Sequence, residues 1–408
     1  MAQCKAITRK LATRYAKGSK AEKSAILDEV CELCDYNRDY ARRALRLALL
    51  PVPKRKRSTR EPTYTGEVIA ALQQVWAVLD GPAGKRLAPV MSQTVAALER
   101  HGELDLTDEV RTQLCAMSAA TIDRRLAPDR KRLQLKGRSG TRPGSLLKSQ
   151  IAIRTFADWD DKAPGFCEAD LVAHDGGDAR GEYAQTLDVT CVATGWTEVR
   201  ILRNKATRWV TEALADIEVA LPFALVGLDT DNGSEFINHL LFGYCQQRQI
   251  TFTRGRPYHS NDGCFVEQKN NSVVRRAVGY ARYDTPAELE VLAELYGLLS
   301  PYVNFFQPQM RLLERKRDGA KVARRYDKAR TPFQRLMAEG ALDPEAAALL
   351  QKTYEAANPA ELKRQIARCQ DELMQLARRP KAPQKGSGAG HPWRGGRVGF
   401  STRPSGPF

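Results

Sequence analysis

The chain has 408 residues and carries 64 Lys+Arg against 48 Asp+Glu, a formal charge of +16. Such an excess favours polyanionic partners and makes affinity for them salt-dependent. No apolar run reaches the roughly 18 residues of a membrane span, and the opening MAQCKAITRK lacks an apolar signal core. A cytoplasmic, nucleoid-associated location is therefore expected. The length suggests two to four domains, and the nine scattered cysteines suggest reduced structural thiols.

Residues 1–50 read as a small helical module. Ile26, Leu27, Val30, Leu33 and Cys34 give one apolar stripe, Asp35-Tyr36-Asn37 interrupts it, and Tyr40, Ala41, Ala44, Leu45 and Ala48 begin a second. Arg38, Arg42, Arg43 and Arg46 line the opposite face of the second helix, which makes the pair a helix-turn-helix candidate for DNA binding. Cys31 and Cys34 form a C-x-x-C, but a structural zinc site needs four ligands and no second Cys or His pair follows, so these thiols are expected to fill the helical core.

Residues 51–63, with PVPKRKRSTREP, read as a basic linker. Residues 64–128 read as a second helical module. Val68, Ala71, Leu72, Val75, Trp76 and Leu79 share a stripe, and Val110 and Leu114 precede Ser118, a good N-cap for a helix over 119–126. Thr121, Arg124 and Arg125 are its candidate groove contacts. Residues 129–149 read as a second basic linker, whose Gly and Pro oppose folding.

The stretch 150–340 opens with GFCEADLVAHD, passes through FALVGLDTDNGSEF and closes with RGRPYHSNDGCFVEQKNN. Phe166–Val172, Gln185–Ala193 and Thr197–Leu202 read as three strands rich in Val, Thr and Leu. A helix over 206–221 ends at Pro222. A strand over 223–228 delivers Asp229 and Asp231, the Asn232-Gly233 turn follows, and Ser234 is a candidate cap for a helix carrying Phe236, Ile237, Leu240, Leu241 and Tyr244. A fifth strand, 250–253, leads through a loop to a helix with Val266, Val273, Val274 and Ala277 on its buried stripe and Glu267 at the edge. Three carboxylates thus stand on three elements: Asp170, Asp231 and Glu267, the last two separated by 35 residues.

The order β-β-β-α-β-α-β-α with acids on the first strand, after the fourth strand and on the last helix resembles the ribonuclease H-like fold. More narrowly, DTDNGSEF and PYHSNDGCFVEQKN at this spacing resemble the integrase core of DDE transposases and retroviral integrases, bacterial insertion-sequence transposases above all. The resemblance covers roughly 150–340. It implies a polynucleotidyl transferase that cleaves the 3′ ends of a mobile element and transfers the freed 3′-hydroxyl into target DNA. It also implies two Mg²⁺ ions (Mn²⁺ an alternative), with Asp170 bridging both, Asp231 on one and Glu267 on the other. Phosphodiester cleavage needs such cations, because charge builds on non-bridging oxygens and on the leaving alkoxide. Glu168 and Asp229 are rivals, each two residues before a chosen acid and so on the same strand face; they rank as structural or supporting, with Asp188 a weaker rival. Arg254, Arg256, Lys269, Arg275 and Arg276 are candidate phosphate contacts.

Beyond the core, 286–306 reads as a helix whose Phe305 and Phe306 pack back on the sheet. A strongly basic segment follows, with interspersed apolar anchors. Residues 341–379 read as amphipathic helices with Leu362, Ile366, Cys369, Leu373 and Leu376 on one stripe, and 380–408 as a disordered tail. The expected architecture is multidomain. It has all-α helix-turn-helix modules, an α/β core with a five-stranded mixed sheet, a helical carboxy-terminal extension and the tail. Double-stranded DNA, both element ends and target, and a homo-oligomer are the expected partners. A catalytically silent DNA-binding regulator that keeps the core as a scaffold is the alternative from another class, and a structure-specific nuclease of the same fold is a third.

Overall fold

The structure is a computed structural model that describes residues 2–50, 64–132, 152–153, 163–231, 233–254, 264–319 and 321–378. The expected linker 51–63, most of the linker 129–149 and the tail from residue 380 lie outside them. Packing divides the chain into two units, Met1–Thr63 and Tyr64–Phe408.

The first unit has three helices: α1 (Ala2–Lys17), α2 (Lys20–Cys34) and α3 (Arg38–Ala48). Ser19 and Glu22 form a capping box that starts α2. Asp35, at φ 55°, ends α2 in the left-handed conformation, and the Asn37 side chain caps α3. The core joins Leu11 and Tyr15 of α1 to Ile26, Leu27, Val30 and Cys34 of α2 and Ala41 and Leu45 of α3. The expected apolar stripes lie on α2 and α3 alone. Because α1 packs on both of them, the buried face of α2 centres on Ile26, Val30 and Cys34. Leu33 is left outside, more than half exposed.

The second unit starts with α4 (Gly66–Val78), α5 (Gly84–Leu87), α6 (Met91–Arg100), α7 (Asp108–Cys115), α8 (Ala119–Arg125) and α9 (Ala127–Arg132), with a 3₁₀ turn at Ala88–Val90. Ser118 caps α8, as its sequence position suggested. A Cβ on Gly84 would come within 2.2 Å of the Ala119 carbonyl oxygen, so α5 meets the start of α8 through a glycine. Helix α9 carries the chain into the segment expected to be linker. These helices share one hydrophobic core with the sheet that follows. The Tyr302 hydroxyl donates to the Val78 carbonyl at 2.6 Å and the Gln307 amide to the Leu79 carbonyl at 3.0 Å. Residues 64–132 are therefore built into the second unit.

The sheet strands are β1 (Ala152–Ile153), β2 (Phe166–Ala173), β3 (Gln185–Cys191), β4 (Thr197–Leu202), β5 (Gly227–Thr230) and β6 (Thr251–Arg254), in spatial order β1-β6-β5-β2-β3-β4. Strands β2, β3 and β4 form an antiparallel meander, while β5 pairs parallel with both β2 and β6. The expected five strands are all present, and two-residue β1 adds a parallel edge to β6. Helix α10 (Thr207–Ala220) connects β4 to β5, and α11 (His239–Gln247) connects β5 to β6. Two elements start more than two residues from where they were expected. Strand β5 begins at Gly227 because its partner β2 begins at Phe166, the register mate of Gly227. Helix α11 begins at His239 with Asn238 as its cap, so Phe236 and Ile237 are buried in the preceding turn and Ser234 caps nothing.

After β6 come α12 (Cys264–Lys269), a π-helical run at Asn270–Arg275, α13 (Arg276–Val278) and the long α14 (Pro286–Phe306), which a Thr285–Glu288 capping box starts. The basic segment folds as an antiparallel hairpin, β7 (Leu312–Asp318) and β8 (Lys321–Tyr326). Helices α15 (Pro332–Glu339), α16 (Pro344–Ala356) and α17 (Pro359–Arg378) complete the unit. Phe305, Phe306, Phe333 and Tyr354 form an aromatic cluster, with Phe333 stacked on Tyr354 at 4.5 Å. The stripe of α17 buries Ile366, Cys369 and Leu373 against the same unit, so it covers this chain's own core. No helix among the described residues is long and apolar enough to cross a membrane.

Candidate active site at the carboxyl end of the central strands

Asp170 lies on β2 and Asp231 directly follows β5. The parallel register pairs Ala169 with Thr230, so the next residue on each strand is an aspartate, and the two stand side by side where the strands diverge. The Gly233 N–H donates to Asp231 Oδ1 at 2.8 Å, closing the turn that ends β5. A Cβ on Gly233 would fall 2.9 Å from that same oxygen, so the turn needs glycine.

The third acid arrives on α12. Buried Glu168, two residues before Asp170 on β2, accepts the backbone N–H of Phe265 at 2.9 Å and of Val266 at 3.1 Å. A carboxylate at a helix N-terminus satisfies donors that lack intrahelical partners and meets the positive end of the helix dipole. One turn on from Glu267, Asn270 donates from Nδ2 to Asp170 Oδ2 at 2.6 Å. Two residues of one strand thus hold both ends of α12. Directly after Lys269 the helix widens into the π-helical run, a local form often found at functional sites. Val266, Val273 and Val274 face the core, as their spacing suggested, and Glu267 is exposed at the rim.

Asp170 feels the charges of both other acids. Burial pushes the Asp170 carboxyl up to about 7, and the negative charges of Asp231 and Glu267 add to this. The Leu171 N–H and the Asn270 amide oppose that rise. Burial also raises Asp231, with Glu235 adding, and raises Glu267. Carboxyls that resist losing their protons are the donor chemistry that a hard divalent cation suits. Among the described residues, however, no three Asp, Glu, His or Cys side chains come close enough together to cage an ion.

Behind the site, the rival acids have structural partners. The Thr253 hydroxyl donates to Asp229 at 2.6 Å, and that of Thr190 donates to Asp188 at 2.9 Å. Asp188, the cross-strand partner of Asp170, is fully buried and faces the charge of Lys269. Burial drives the Asp188 carboxyl up and the Lys269 ammonium down, and each one's charge opposes the other's shift.

The candidate DNA contacts divide. Lys269 is buried and donates to the Gly195 carbonyl at 3.1 Å, and Arg254 is buried in β6, so neither presents its charge at the surface. Arg275 is half-buried, donating to the carbonyls of Ala173 and Gly279. Arg276 pairs with Asp80 at 2.8 Å. Arg256 lies outside the described residues. Arg124 and Arg125 are exposed at the end of α8, where Thr121 pairs with Ser118 in the first turn. In the first unit, Arg43 and Arg46 are exposed, Arg38 pairs with Asp28, and Arg42 pairs with Asp39. Asn270 escaped the sequence reading. Its signal was its place three residues after Glu267, on the same helical side.

No family model matches the chain. It is 39% identical over 325 residues to the uncharacterized protein y4rM of Sinorhizobium fredii, a match covering 79% of this chain and 91% of that one. The chain belongs to the family of that protein. Among solved structures, it is similar to the catalytic core domain of BIV integrase, with 18% identity over 43% of this chain and 96% of that one, at a TM-score of 0.30. It is also similar to the catalytic core domain of HTLV-2 integrase in complex with magnesium, with 12% identity over 36% and 91%, at a TM-score of 0.28.

Proposed function

We propose that this member of the y4rM family is a DNA transposase of the DDE type, a metal-dependent polynucleotidyl transferase. The supporting observation is the register that makes Asp170 and Asp231 neighbours on parallel strands, with the Glu267 helix tied to the same strand through Asn270. A sheet with the antiparallel meander β2-β3-β4 and with β5, β6 and β1 added in parallel, Asp170 and Asp231 standing on and beside its central strands, resembles the ribonuclease H-like arrangement that the motifs implied.

Asp170, Asp231 and Glu267 are the residues that would hold the divalent ions. Bound there, Mg²⁺ supplies positive charge against the non-bridging phosphate oxygens and eases deprotonation of the attacking oxygen. The remaining work belongs to this chain's own groups. Asn270 and the Leu171 N–H orient the two oxygens of Asp170, the Gly233 N–H orients Asp231, and Glu168 fixes the start of the helix that presents Glu267. Water attacks the phosphodiester at the element's 3′ end and breaks its P–O3′ bond, and the freed 3′-hydroxyl then attacks a target phosphodiester at the same carboxylates, expelling the target's 3′-oxygen. No protein nucleophile is required. Joining two ends to one target calls for a dimer or larger assembly on DNA.

The test is Asp231→Asn in the full chain, assayed with Mg²⁺, DNA carrying the element ends and a plasmid target. The variant is expected to shift end DNA like the wild type while losing both nicking and joining. Retained nicking would move the site elsewhere. Wild-type protein that binds but never nicks would leave a DNA-binding regulator.

A further inference from the structure

Helix α12 covers a patch of the sheet that is polar where an apolar core is the norm. The register pairs Glu168 with Thr190 and Asp170 with Asp188, and α12 packs on both strands. Directly opposed residues of an antiparallel pair share a face, as do residues two apart on one strand. Glu168, Asp170 and Asp188 are thus three carboxyls on one small face. Glu168 accepts the N–H groups of Phe265 and Val266, and Asp170 accepts from the Asn270 amide. The remaining carboxyl, Asp188, is fully buried.

Thr190 donates to Asp188 Oδ1 at 2.9 Å, while Oδ2 has no hydrogen-bond partner among the described residues. The cation that faces it is Lys269, the last residue of α12 and itself buried. Lys269 Nζ donates to the Gly195 carbonyl at 3.1 Å. That carbonyl belongs to the turn between β3 and β4, which other elements clamp. Arg311 donates to the Ala193 carbonyl at 2.6 Å, and the Asn304 side chain accepts the Thr197 N–H at 2.8 Å and donates to the Thr197 carbonyl at 2.9 Å. The turn is therefore a fixed point for the lysine.

Lys269 follows Glu267 by two residues, about 200° around a helix, so the two side chains leave α12 on nearly opposite sides. Whatever fixes Lys269 also fixes the direction of Glu267. A buried ion pair is a poor source of stability, because desolvation of both charges offsets most of their attraction and apolar side chains of similar size often pack as stably. Its advantage is selectivity. Turning α12 by one residue would strand an ammonium and a carboxylate in a dry interior, whereas an apolar pair tolerates such a turn. We propose that Asp188 and Lys269 are positioning residues, a buried charge pair that fixes the rotation of α12 and so aims Glu267 at the rim beside Asp170. The role of Glu267 as a metal-holding acid rests on the proposed function, while the setting of the helix rests on the geometry alone.

The test is D188N/K269M in the full chain, which removes both charges and nearly keeps both sizes. It is expected to unfold at a urea concentration no lower than the wild type's. In metal-free protein, hydrogen exchange at the amides of 265–275 is expected to be about tenfold faster, with the sheet unchanged. Mn²⁺ affinity, read from the paramagnetic resonance of the free ion, should weaken about tenfold and nicking should fall to match, with end-DNA binding unaltered. A merely structural pair would lower the urea midpoint and leave Mn²⁺ affinity where it was. That result, or wild-type exchange over 265–275, overturns the assignment. D188N/K269Q, which keeps a donor for Gly195, replaces the variant should it misfold. Wild-type protein that binds no Mn²⁺ and nicks nothing would end the transposase reading, and the exchange comparison would still decide whether the pair sets the helix.

Discussion

The Glu168 carboxylate accepts the backbone N–H of Val266 at 3.1 Å, joining the strand that carries Asp170 to the helix that carries Glu267. The bond is charge-assisted and buried, and its acceptor also serves Phe265. Glu168→Ala leaves both donors unpaired in a dry place, which costs about 1–3 kcal/mol for such a group. Glu168→Gln keeps an acceptor and loses the charge. Nicking is expected to fall at least tenfold in the alanine variant and to recover in part in the glutamine variant, with end-DNA affinity unchanged in both. An alanine variant with wild-type nicking would show that the helix needs no such anchor.

Asn270 acts on Asp170 itself, at 2.6 Å. Asn270→Asp would replace a donor by another carboxylate beside Asp170, whose ionisation the charges of Asp231 and Glu267 already oppose. Its nicking is expected to collapse, whereas Asn270→Ala should lose less and need a higher Mg²⁺ concentration for half-maximal rate. The check is a Mg²⁺ titration of nicking by each variant. Equal Mg²⁺ dependence in wild type and both variants would remove Asn270 from the site.

These two positioning residues mark where sequence reasoning stops. The strand order and the elements that carry Asp170, Asp231 and Glu267 were legible because alternation and turn residues are local signals, and the buried stripe of α12 matched its spacing. The hairpin was not legible, since LLERKRD and KVARRY lack an alternating apolar face and owe their pairing to each other. Nor was the fusion of residues 64–132 with the sheet, because an apolar stripe states that a face is buried without stating against what. Lys269 looked like a phosphate contact by charge alone. Its burial follows from the side of α12 it occupies, toward Gly195 and Asp188.

Asp80 holds the seam between the first helices of the second unit and its last ones. Its carboxylate pairs with Arg276 at 2.8 Å and Lys363 at 3.0 Å. It sits at φ 62°, where Asn is tolerated almost as well as Asp. Asp80→Asn therefore removes the charge without straining the backbone. Partly exposed pairs are worth about 0–1 kcal/mol each, so a stability loss of about 1 kcal/mol by urea unfolding is expected, diminished at high salt. A loss independent of salt would mean that packing, not charge, closes the seam.

His174 makes stability fall with acid. Burial, with the Arg275 charge adding, holds its imidazole down at about 3, against an ordinary 6.5. The buried ring shares a hydrogen bond with Thr186 at 2.7 Å, and Thr186 shares one with Tyr296 at 2.6 Å. A depressed folded pKa means that the unfolded chain binds the extra proton first. This group's contribution is therefore complete above about pH 6.5 and is lost progressively as pH falls toward 3. Between pH 7 and pH 5 the loss comes to about 2 kcal/mol at 1.36 kcal/mol per unit. His174→Gln keeps a nitrogen near the Thr186 hydroxyl and cannot titrate. Urea unfolding at both pH values is expected to show the wild type losing about 2 kcal/mol more than the variant over that interval. Parallel losses in the two proteins would show that the imidazole is free to protonate in the folded state.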